Sequence, residues 1–307
     1  RTVPSIHFAA LKGRLLPHPI RLRVRITSTK SAGSFIRMRN SFVRIAITIL
    51  LLALLIAFHH SHADTSKQSR ANAPSRLALE QGAITRGDTS HRQLALVFTG
   101  DGFGDGGATI SSALKRHKLK ASFFFTGRFY RNPEFKKLIR ELKADGHYLG
   151  AHSDAHLLYC DWNDRNRLLV SREEFASDLK RNYEAMAAFG ISKSDARFFL
   201  PPFEWYNETI SRWTSELNLQ LINFTRGTRS NADYTTPTEK NYVDSETILE
   251  SIKSYEERDA DGLNGFILLL HVGVDPARTD KFYNRIDELL EFLRSRKYQM
   301  VRIDQLL

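Results

Sequence analysis

Short apolar runs alternate with longer amphipathic segments from Gln93 to the end of this 307-residue chain. The runs have the length and composition of buried strands, and they lie at 94–98, 121–125, 148–151, 198–200, 219–223, 266–270 and 300–301. Predicted helices separate them at 108–117, 133–145, 171–189, 206–216, 247–257 and 279–296. Apolar strands that alternate with helices form parallel sheets. About seven such units predict an α/β barrel, closed or nearly closed, with an open doubly wound sheet as the alternative.

The positive charge of the chain is concentrated at its beginning. Residues 1–63 hold ten basic and no acidic side chains, whereas the remainder holds 35 basic and 34 acidic ones. A nearly neutral body argues against a nucleic-acid-binding protein. Cys160 is the single cysteine, so an internal disulfide is excluded.

The same segment has the pattern of a secretory signal. Basic residues after Met38 precede an apolar run at 45–58 and then Ser61-His62-Ala63, which has small residues where a signal peptidase reads. We therefore predict an upstream or mis-annotated extension at 1–37, a signal peptide at 38–63, a linker at 64–92 and a folded domain at 93–307.

Export to the periplasm, the cell surface or the extracellular space is the expected consequence. The apolar run is shorter than the ~20 residues that span a bilayer, so no stable membrane span is expected after cleavage. An uncleaved membrane anchor is one alternative. A mitochondrial or plastid transit peptide is another, because the first residues are rich in Arg and free of acidic residues.

Chemically reactive side chains follow the predicted strands directly. Asp101 follows the first strand, His152 and His156 follow the third, and His271 ends the strand at 266–270. Parallel α/β folds carry their sites at the carboxyl ends of their strands, so we expect these side chains to share one site.

These residue types suit a metal site with acid–base chemistry. His152 and His156 have the H-x-x-x-H spacing with which two imidazoles reach one ion, and imidazole suits Zn²⁺, Co²⁺ and Ni²⁺. Asp101 is a candidate ligand or general base, and a histidine such as His271 transfers protons near neutral pH. Gly102–Gly107 also fits a dinucleotide fingerprint, but Phe125-Thr126-Gly127-Arg128 lacks the acidic residue that would hold a ribose.

Taken in order, these motifs resemble the polysaccharide deacetylase family, also called the NodB homology domain or carbohydrate esterase family 4. The resemblance runs from about Gln93 to Leu307 and rests on motifs that occur in the family's order. The motifs are Thr99-Gly100-Asp101-Gly102, His152-Ser153-Asp154-Ala155-His156, Leu200-Pro201-Pro202-Phe203, Asp233-Tyr234 and Leu269-Leu270-His271. It implies a distorted (β/α)7 barrel that uses a divalent metal, usually Zn²⁺, to remove acetyl groups from N- or O-acetylated polysaccharides or oligosaccharides.

The resemblance also assigns roles to residues. His152 and His156 become metal ligands, together with Asp101 or Asp105. Asp101 is also the expected general base, and His271 the general acid. The backbone N–H near Phe203 is expected to help hold an oxyanion. Apart from these roles, the aromatic residues Phe203, Trp162, Trp205 and Tyr206 lie in or beside the motifs and are candidates for substrate binding, because exposed aromatic rings there would stack on sugars. A position in the core is the alternative for Trp162 and Trp205.

The chain departs from the family pattern in motifs one, three and four. The fourth motif is met only in part, at Asp233-Tyr234, and the other two departures fall at positions that matter for catalysis. Gly102 stands where the family has an acidic metal ligand, and Leu200 stands where it has the Arg that orients the base. A non-catalytic glycan-binding protein that retains the barrel is therefore the main alternative. A glycosidase that uses a pair among Asp101, Asp105 and Glu204 is a third hypothesis, and it leaves the histidines unexplained.

Overall fold

The computed structural model describes residues 77–307, which form one sheet surrounded by helices. In this part of the chain the strands are β1 (Ala78–Glu80), β2 (Ala83–Arg86), β3 (Gln93–Gly100), β4 (Ser122–Phe125), β5 (Tyr148–Ala151), β6 (Phe198–Phe199), β7 (Gln220–Leu221), β8 (Phe266–His271) and β9 (Gln299–Val301). Their order is β1-β2-β8-β3-β4-β5-β6-β7, and β9 also pairs with β3. All pairs from β8 to β7 along this order are parallel. The predicted segments 1–37 and 38–63 lie outside the described residues.

The sheet curls until its two ends approach each other. A bridge joins Ile84 of β2 to Ile222, and the Asn223 N–H donates to the Ile84 carbonyl at 2.9 Å. This contact links the segment after β7 back to β2, so the sheet forms an irregular barrel. The prediction of an α/β fold of the distorted (β/α)7 barrel type is confirmed.

Strands β1 and β2 correct part of the predicted linker at 64–92. Ala83 and Ile84 are buried, and Arg86 of β2 pairs antiparallel with Phe266 of β8. The Arg86 guanidinium also donates to the carbonyls of Gly262 and Asn264, each at 2.8 Å. Only a few apolar residues of this segment are buried in the barrel. Such a short apolar pattern within a polar sequence does not predict a strand.

Most of the helices lie close to their predicted positions, but the helix predicted at 279–296 begins only at Ile286, after a 3-10 turn at Phe282–Arg285. The helices are α1 (Gly107–His117), α2 (Gly127–Arg131), α3 (Lys136–Ala144), α4 (Arg172–Ala187), α5 (Glu208–Glu216), α6 (Ser245–Arg258), α7 (Ile286–Ser295) and α8 (Ile303–Leu306). The capping box predicted at the start of α4 is present, because Ser171 and Glu174 each accept a hydrogen bond from the other's backbone N–H. No helix within 77–307 has the length and apolar character that a membrane crossing requires.

Helix α2 is absent from the sequence prediction, and it positions part of the site. It has only five residues, fewer than two helical turns, so it shows no apolar period. Its start is set by Thr126, whose hydroxyl accepts from the Phe129 N–H at 3.1 Å. The ring of Phe129 stacks on Phe125 of β4 with the centroids 4.1 Å apart, so the helix is anchored to the strand that precedes it.

The core of the barrel is formed by its central strands. Phe266 to Leu270 in β8 are each at most 1% exposed, and Leu94 to Phe98 in β3 are equally buried. Burial of each large apolar side chain contributes about 1.5–3 kcal/mol. This buried pair of strands ends in Gly100 and His271, so it fixes the backbone positions from which the loops after β3 and β8 begin.

Candidate active site

A cleft of about 750 Å³ opens at the carboxyl ends of β3, β5 and β8. It brings together six of the predicted site residues: Asp101, His152, His156 and His271, and the aromatic residues Trp162 and Phe203. The other residues that line it are Thr99, Gly100, Gly102, Phe103, Glu204, Tyr234, Thr236, Glu239, Gly273, Val274 and Asp275.

Asp101 is held at the rim by side chains from the start of α2. The Thr126 hydroxyl donates to Oδ1 at 2.9 Å. Arg128 donates from Nε to Oδ1 at 3.1 Å and from Nη2 to Oδ2 at 2.6 Å, so its guanidinium spans both carboxylate oxygens. Leu200, which stands where the resemblance expects an Arg, is fully buried. The carboxylate therefore has an arginine partner, but one from a different element.

Arg128 is a site residue that sequence reasoning missed. It was considered only as evidence against a dinucleotide site, because it is not acidic. The available signal was its position just after the strand at 121–125, where the other reactive residues also lie relative to their strands.

The two histidines that follow β5 lie side by side as neutral imidazoles. The Nδ1–H of His152 donates to the Leu200 carbonyl at 2.8 Å, which leaves Nε2 with a free lone pair. The ring centroids of His152 and His156 are 5.1 Å apart. Burial lowers the pKa of His152 well below its ordinary value and lowers the pKa of His156 to about 4. Both rings are consequently in the protonation state that binds metals.

Asp178 of α4 shapes the loop that carries these histidines. Its buried carboxylate accepts from the Ser153 hydroxyl at 2.6 Å and from the backbone N–H groups of Asp154 and Ala155 at 2.9 and 3.0 Å. Ser153 and His156 both have positive φ, at 71° and 55°. A non-glycine residue adopts this conformation at a cost, and here the Asp178 hydrogen bonds stabilise it.

The donor set of this chain fits a divalent ion with two protein ligands. His152 and His156 have the chemistry of such ligands. Gly102 has no side chain to add, and both oxygens of Asp101 accept hydrogen bonds from Arg128. Within residues 77–307, no group of three or more His, Cys, Asp or Glu side chains is arranged to hold a metal ion.

Asp105, a further predicted ligand, is placed away from the cleft lining. Its Oδ1 accepts from the Val274 N–H at 2.9 Å, and its Oδ2 accepts from the Tyr283 hydroxyl at 2.6 Å. Lys281 lies 3.3 Å from the same carboxylate. Asp105 thus connects the loop after β3 to the loop after β8. Both of its carboxylate oxygens accept hydrogen bonds there.

His271 is paired with a buried carboxylate. Its Nδ1–H donates to Asp233 Oδ1 at 2.6 Å, and its backbone N–H donates to Oδ2 at 2.9 Å. Burial alone would lower the pKa of His271, but the Asp233 carboxylate, with a smaller contribution from Glu204, raises it above its ordinary value. The ring is therefore held with Nε2 available and is biased toward the protonated form, as a general acid requires. Sequence reasoning noted Asp233 only as a partial motif.

Aromatic side chains surround the opening of the cleft. Phe103, Trp162, Phe203 and Tyr234 line it, and all four are exposed. Trp162 is 54% exposed and stacks on Trp205 with the centroids 5.6 Å apart. Exposed aromatic faces beside a polar cleft suit the apolar faces of sugar rings.

Tyr206 does not belong to this surface. It is fully buried, and its hydroxyl donates to the Glu80 carbonyl at 3.0 Å. The prediction that Tyr206 binds substrate is therefore wrong, because its ring packs in the core. The sequence pattern did not distinguish it from Trp162, since both lie beside the motifs.

The turn after β6 has an unusual backbone. Phe203 and Glu204 are consecutive non-glycine residues with positive φ, at 58° and 51°. Among the described residues, none accepts a hydrogen bond from the Phe203 N–H, so this donor remains available to a ligand. Burial raises the pKa of Glu204 to about 7.

Comparison with known proteins identifies relatives for the central part of the chain. Residues 86–222 match the family model for polysaccharide deacetylase. A peptidoglycan-N-acetylglucosamine deacetylase from Bacillus cereus is 29% identical over 122 residues, which cover 36% of this chain and 44% of that protein. The chain spans between 37% and 56% of the length of the curated relatives that it matches.

Solved structures share the fold at low sequence identity. A chitin deacetylase from the fungal pathogen Colletotrichum lindemuthianum has a TM-score of 0.57 and 20% identity, covering 75% of this chain and 93% of that one. A pseudoenzyme of carbohydrate esterase family 4 from Bacillus anthracis has a TM-score of 0.56 and 17% identity, covering 74% of this chain and 69% of that one. At these identities the similarity establishes the barrel alone.

Proposed function

Residues 86–222 belong to the polysaccharide deacetylase family, and from this premise we propose that the chain is a hydrolase that removes acetyl groups from an N- or O-acetylated polysaccharide. One observation carries the proposal. Asp101 and His271 line the same cleft, and each is held by a charged partner that suits it to proton transfer.

Asp101 is the proposed general base. An ionised carboxylate offers about four lone-pair sites, and three of them accept from Thr126 and Arg128. One site remains to take a proton from the attacking water. The two arginine contacts fix the direction in which that site points.

His271 is the proposed general acid. Its Nε2–H protonates the departing amine or alkoxide, while Asp233 stabilises the imidazolium before the transfer. The free N–H of Phe203 is the proposed donor to the oxyanion of the tetrahedral intermediate. The exposed Trp162 and Phe203 supply stacking surfaces for the glycan.

His152 and His156 are the residues that would hold a divalent ion, such as Zn²⁺, Co²⁺ or Ni²⁺. When bound, such an ion polarises the acetyl carbonyl and makes water more acidic. This chain contributes two neutral imidazoles to it, and Leu200 fixes the tautomer of one of them.

The proposed substrates and location follow from the relatives and from the leader sequence. The curated relatives are named as peptidoglycan deacetylases, and the fold also occurs in a chitin deacetylase. We propose an acetylated polysaccharide or oligosaccharide outside the cytoplasm, reached by export through the predicted signal peptide at 38–63.

Acetate release from a panel of glycans tests the proposal. The panel consists of an N-acetylglucosamine hexamer, peptidoglycan and acetylated xylan. We expect release from at least one of them, and a loss of about 100-fold or more in the variants Asp101→Asn and His271→Ala. Release that persists in Asp101→Asn would remove that residue from the role of base.

A non-catalytic glycan-binding protein is the second candidate, and Gly102 is the observation that favours it. The cleft and its aromatic surface require no third metal ligand in order to bind a sugar. Saturable glycan binding by the wild type, without acetate release from any member of the panel, would establish this alternative.

A further inference from the structure

Glu204 is a polar group of the cleft that the proposed reaction does not use. We propose that the Glu204 carboxyl group contacts the substrate, forming hydrogen bonds with the polar edge of the sugar that carries the acetyl group. This inference rests on the proposed function, and it adds a specificity-determining residue to it.

The backbone at Glu204 is held in a conformation that glycine adopts more easily. Its φ is 51°, directly after Phe203 at 58°. The Glu204 N–H donates to the Pro201 carbonyl at 3.1 Å, and the Asn223 side-chain amide donates to the Glu204 carbonyl at 3.0 Å. These contacts maintain the turn, but they involve only the backbone of Glu204. A glycine would keep both of them and would avoid the cost of a side chain at positive φ.

No hydrogen bond within the described residues explains why position 204 carries a carboxyl side chain. Among residues 77–307, none donates a hydrogen bond to its carboxyl oxygens, although the residue lines the cleft. Glu204 is partly exposed where it lines the cleft, so its unpaired carboxyl is free to bind a ligand there. Asp101 and Asp233, the other carboxylates beside the proposed reaction, both have partners within the chain.

Thr99 shows the same property at the same place. Its hydroxyl is buried, lines the cleft and has no hydrogen-bond partner in the described part of the chain. Thr99 of β3 is directly opposite His271 of β8 in the parallel register. Glu204 and His271 line the same cleft. Two unpaired polar side chains thus line the cleft together with the proposed general acid.

The neighbouring Phe203 determines which kind of ligand this arrangement fits. Its ring is 42% exposed and lies with its centroid 4.4 Å from that of His156. An apolar surface adjoins an unpaired carboxyl, and a sugar has the matching features in its apolar ring face and its hydroxyl or amide edge. The turn presents both side chains together, which explains why a strained glutamate stands at a position suited to glycine.

The test compares three variants in binding and in stability. Glu204→Gly removes the side chain and relieves the backbone, and Glu204→Gln keeps an uncharged hydrogen-bonding group. Lys118→Gly is the matched control, because Lys118 is exposed, has a φ of 56° and caps α1 away from the cleft. Affinity for the N-acetylglucosamine hexamer is measured by calorimetry, acetate release is measured in parallel, and thermal melting reports stability.

We expect Glu204→Gly to weaken hexamer binding by about tenfold and Glu204→Gln by about threefold. Lys118→Gly should bind as the wild type does. Neither glycine variant should melt at a lower temperature than the wild type.

Unchanged hexamer binding in Glu204→Gly would overturn the inference and leave the proposed function standing. A lower melting temperature in Glu204→Gly alone would also overturn it, since the residue would then be structural. Hexamer binding that depends on Glu204, without any acetate release, would overturn the proposed reaction but support the inference. Failure of the wild type to bind any glycan of the panel would count against both.

Discussion

Arg128 and Asp101 form a bidentate ion pair at the rim of the cleft, with contacts of 3.1 and 2.6 Å to the two carboxylate oxygens. A planar guanidinium fixes a carboxylate in orientation as well as in charge. Leu200 supplies no such contact, so Arg128 is the group that orients the proposed base. We predict that Arg128→Leu lowers the kcat for acetate release by about 10- to 100-fold, because a misplaced base loses its geometry. Steady-state kinetics measure this change, and Arg128→Lys should recover only part of the loss.

A second exposed ion pair provides the control for this prediction. Arg128 is half-exposed, and exposed ion pairs contribute about 0–1 kcal/mol to folding. The Arg116–Asp287 pair is similarly exposed and lies outside the cleft lining, so Arg116→Leu should leave kcat unchanged. A kcat in Arg128→Leu equal to that of the wild type would show that Asp101 needs no orienting partner.

The pairing of His271 with Asp233 predicts how activity depends on pH. A general acid acts in its protonated form, so activity falls as the pH rises through the pKa of His271. Asp233 raises that pKa against the effect of burial. Asp233→Asn should therefore shift the alkaline limb of the pH–kcat profile to lower pH. Acetate release measured across the pH range in the two proteins tests the shift.

A second histidine–carboxylate pair supplies the matched control. His117 Nε2 lies 3.1 Å from Asp287 Oδ1, outside the lining of the cleft. Asp287→Asn should leave the alkaline limb where it is in the wild type. An alkaline limb that stays in place in Asp233→Asn would mean that His271 is not the group that titrates.

His147 predicts a pH dependence of stability that is independent of the cleft. Burial lowers its pKa from the ordinary value of 6.5 to about 4, and its Nδ1 accepts from the Ala121 N–H at 3.1 Å. Between these pH values the unfolded chain binds a proton that the folded chain does not. The free energy of unfolding should therefore decrease as the pH falls from about 6.5 toward 4, with a contribution from His147 of up to about 3 kcal/mol.

Urea unfolding of wild type and His147→Gln at several pH values isolates this contribution. The difference in unfolding free energy between the two proteins should change over that window and stay constant above it. His91 is exposed, and His91→Gln serves as the control for a histidine substitution outside the core. A constant difference between wild type and His147→Gln would exclude His147 as the source.

Reactive residues at strand ends could be predicted from the sequence because the carboxyl ends of parallel strands lie together at one end of the barrel. Asp101 and His152 directly follow strands and His271 is the last residue of one, so a correct strand assignment also places the side chain. Their partners are different. Arg128 is 27 residues from Asp101, and Asp233 is 38 residues from His271, each on a short helix or turn without an apolar period. Such contacts depend on how loops fold over the barrel, which local patterns do not encode.

The treatment of aromatic residues shows the same limit. Trp162 and Tyr206 have equivalent positions beside motifs, yet one is exposed at the cleft and the other lies in the core. The Tyr206 hydroxyl donates to the Glu80 carbonyl of β1, in a segment predicted to be a linker, so this contact of the buried ring could not be predicted from the sequence pattern.

Gly102 predicts a gain of metal affinity by a single substitution. A Cβ atom at this position would have nothing within 4 Å, and the residue lines the cleft together with His152 and His156. The position therefore has room for a Cβ, and we expect an aspartate there to add a third protein ligand to two neutral imidazoles. We expect Gly102→Asp to bind Zn²⁺ at least about tenfold more tightly than the wild type. Competition with a chromophoric chelator measures the affinity, and Gly102→Ala, which adds the Cβ without a ligand, should match the wild type. Equal Zn²⁺ affinities in the wild type and the two variants would mean that a side chain at position 102 does not reach the ion bound by the histidines.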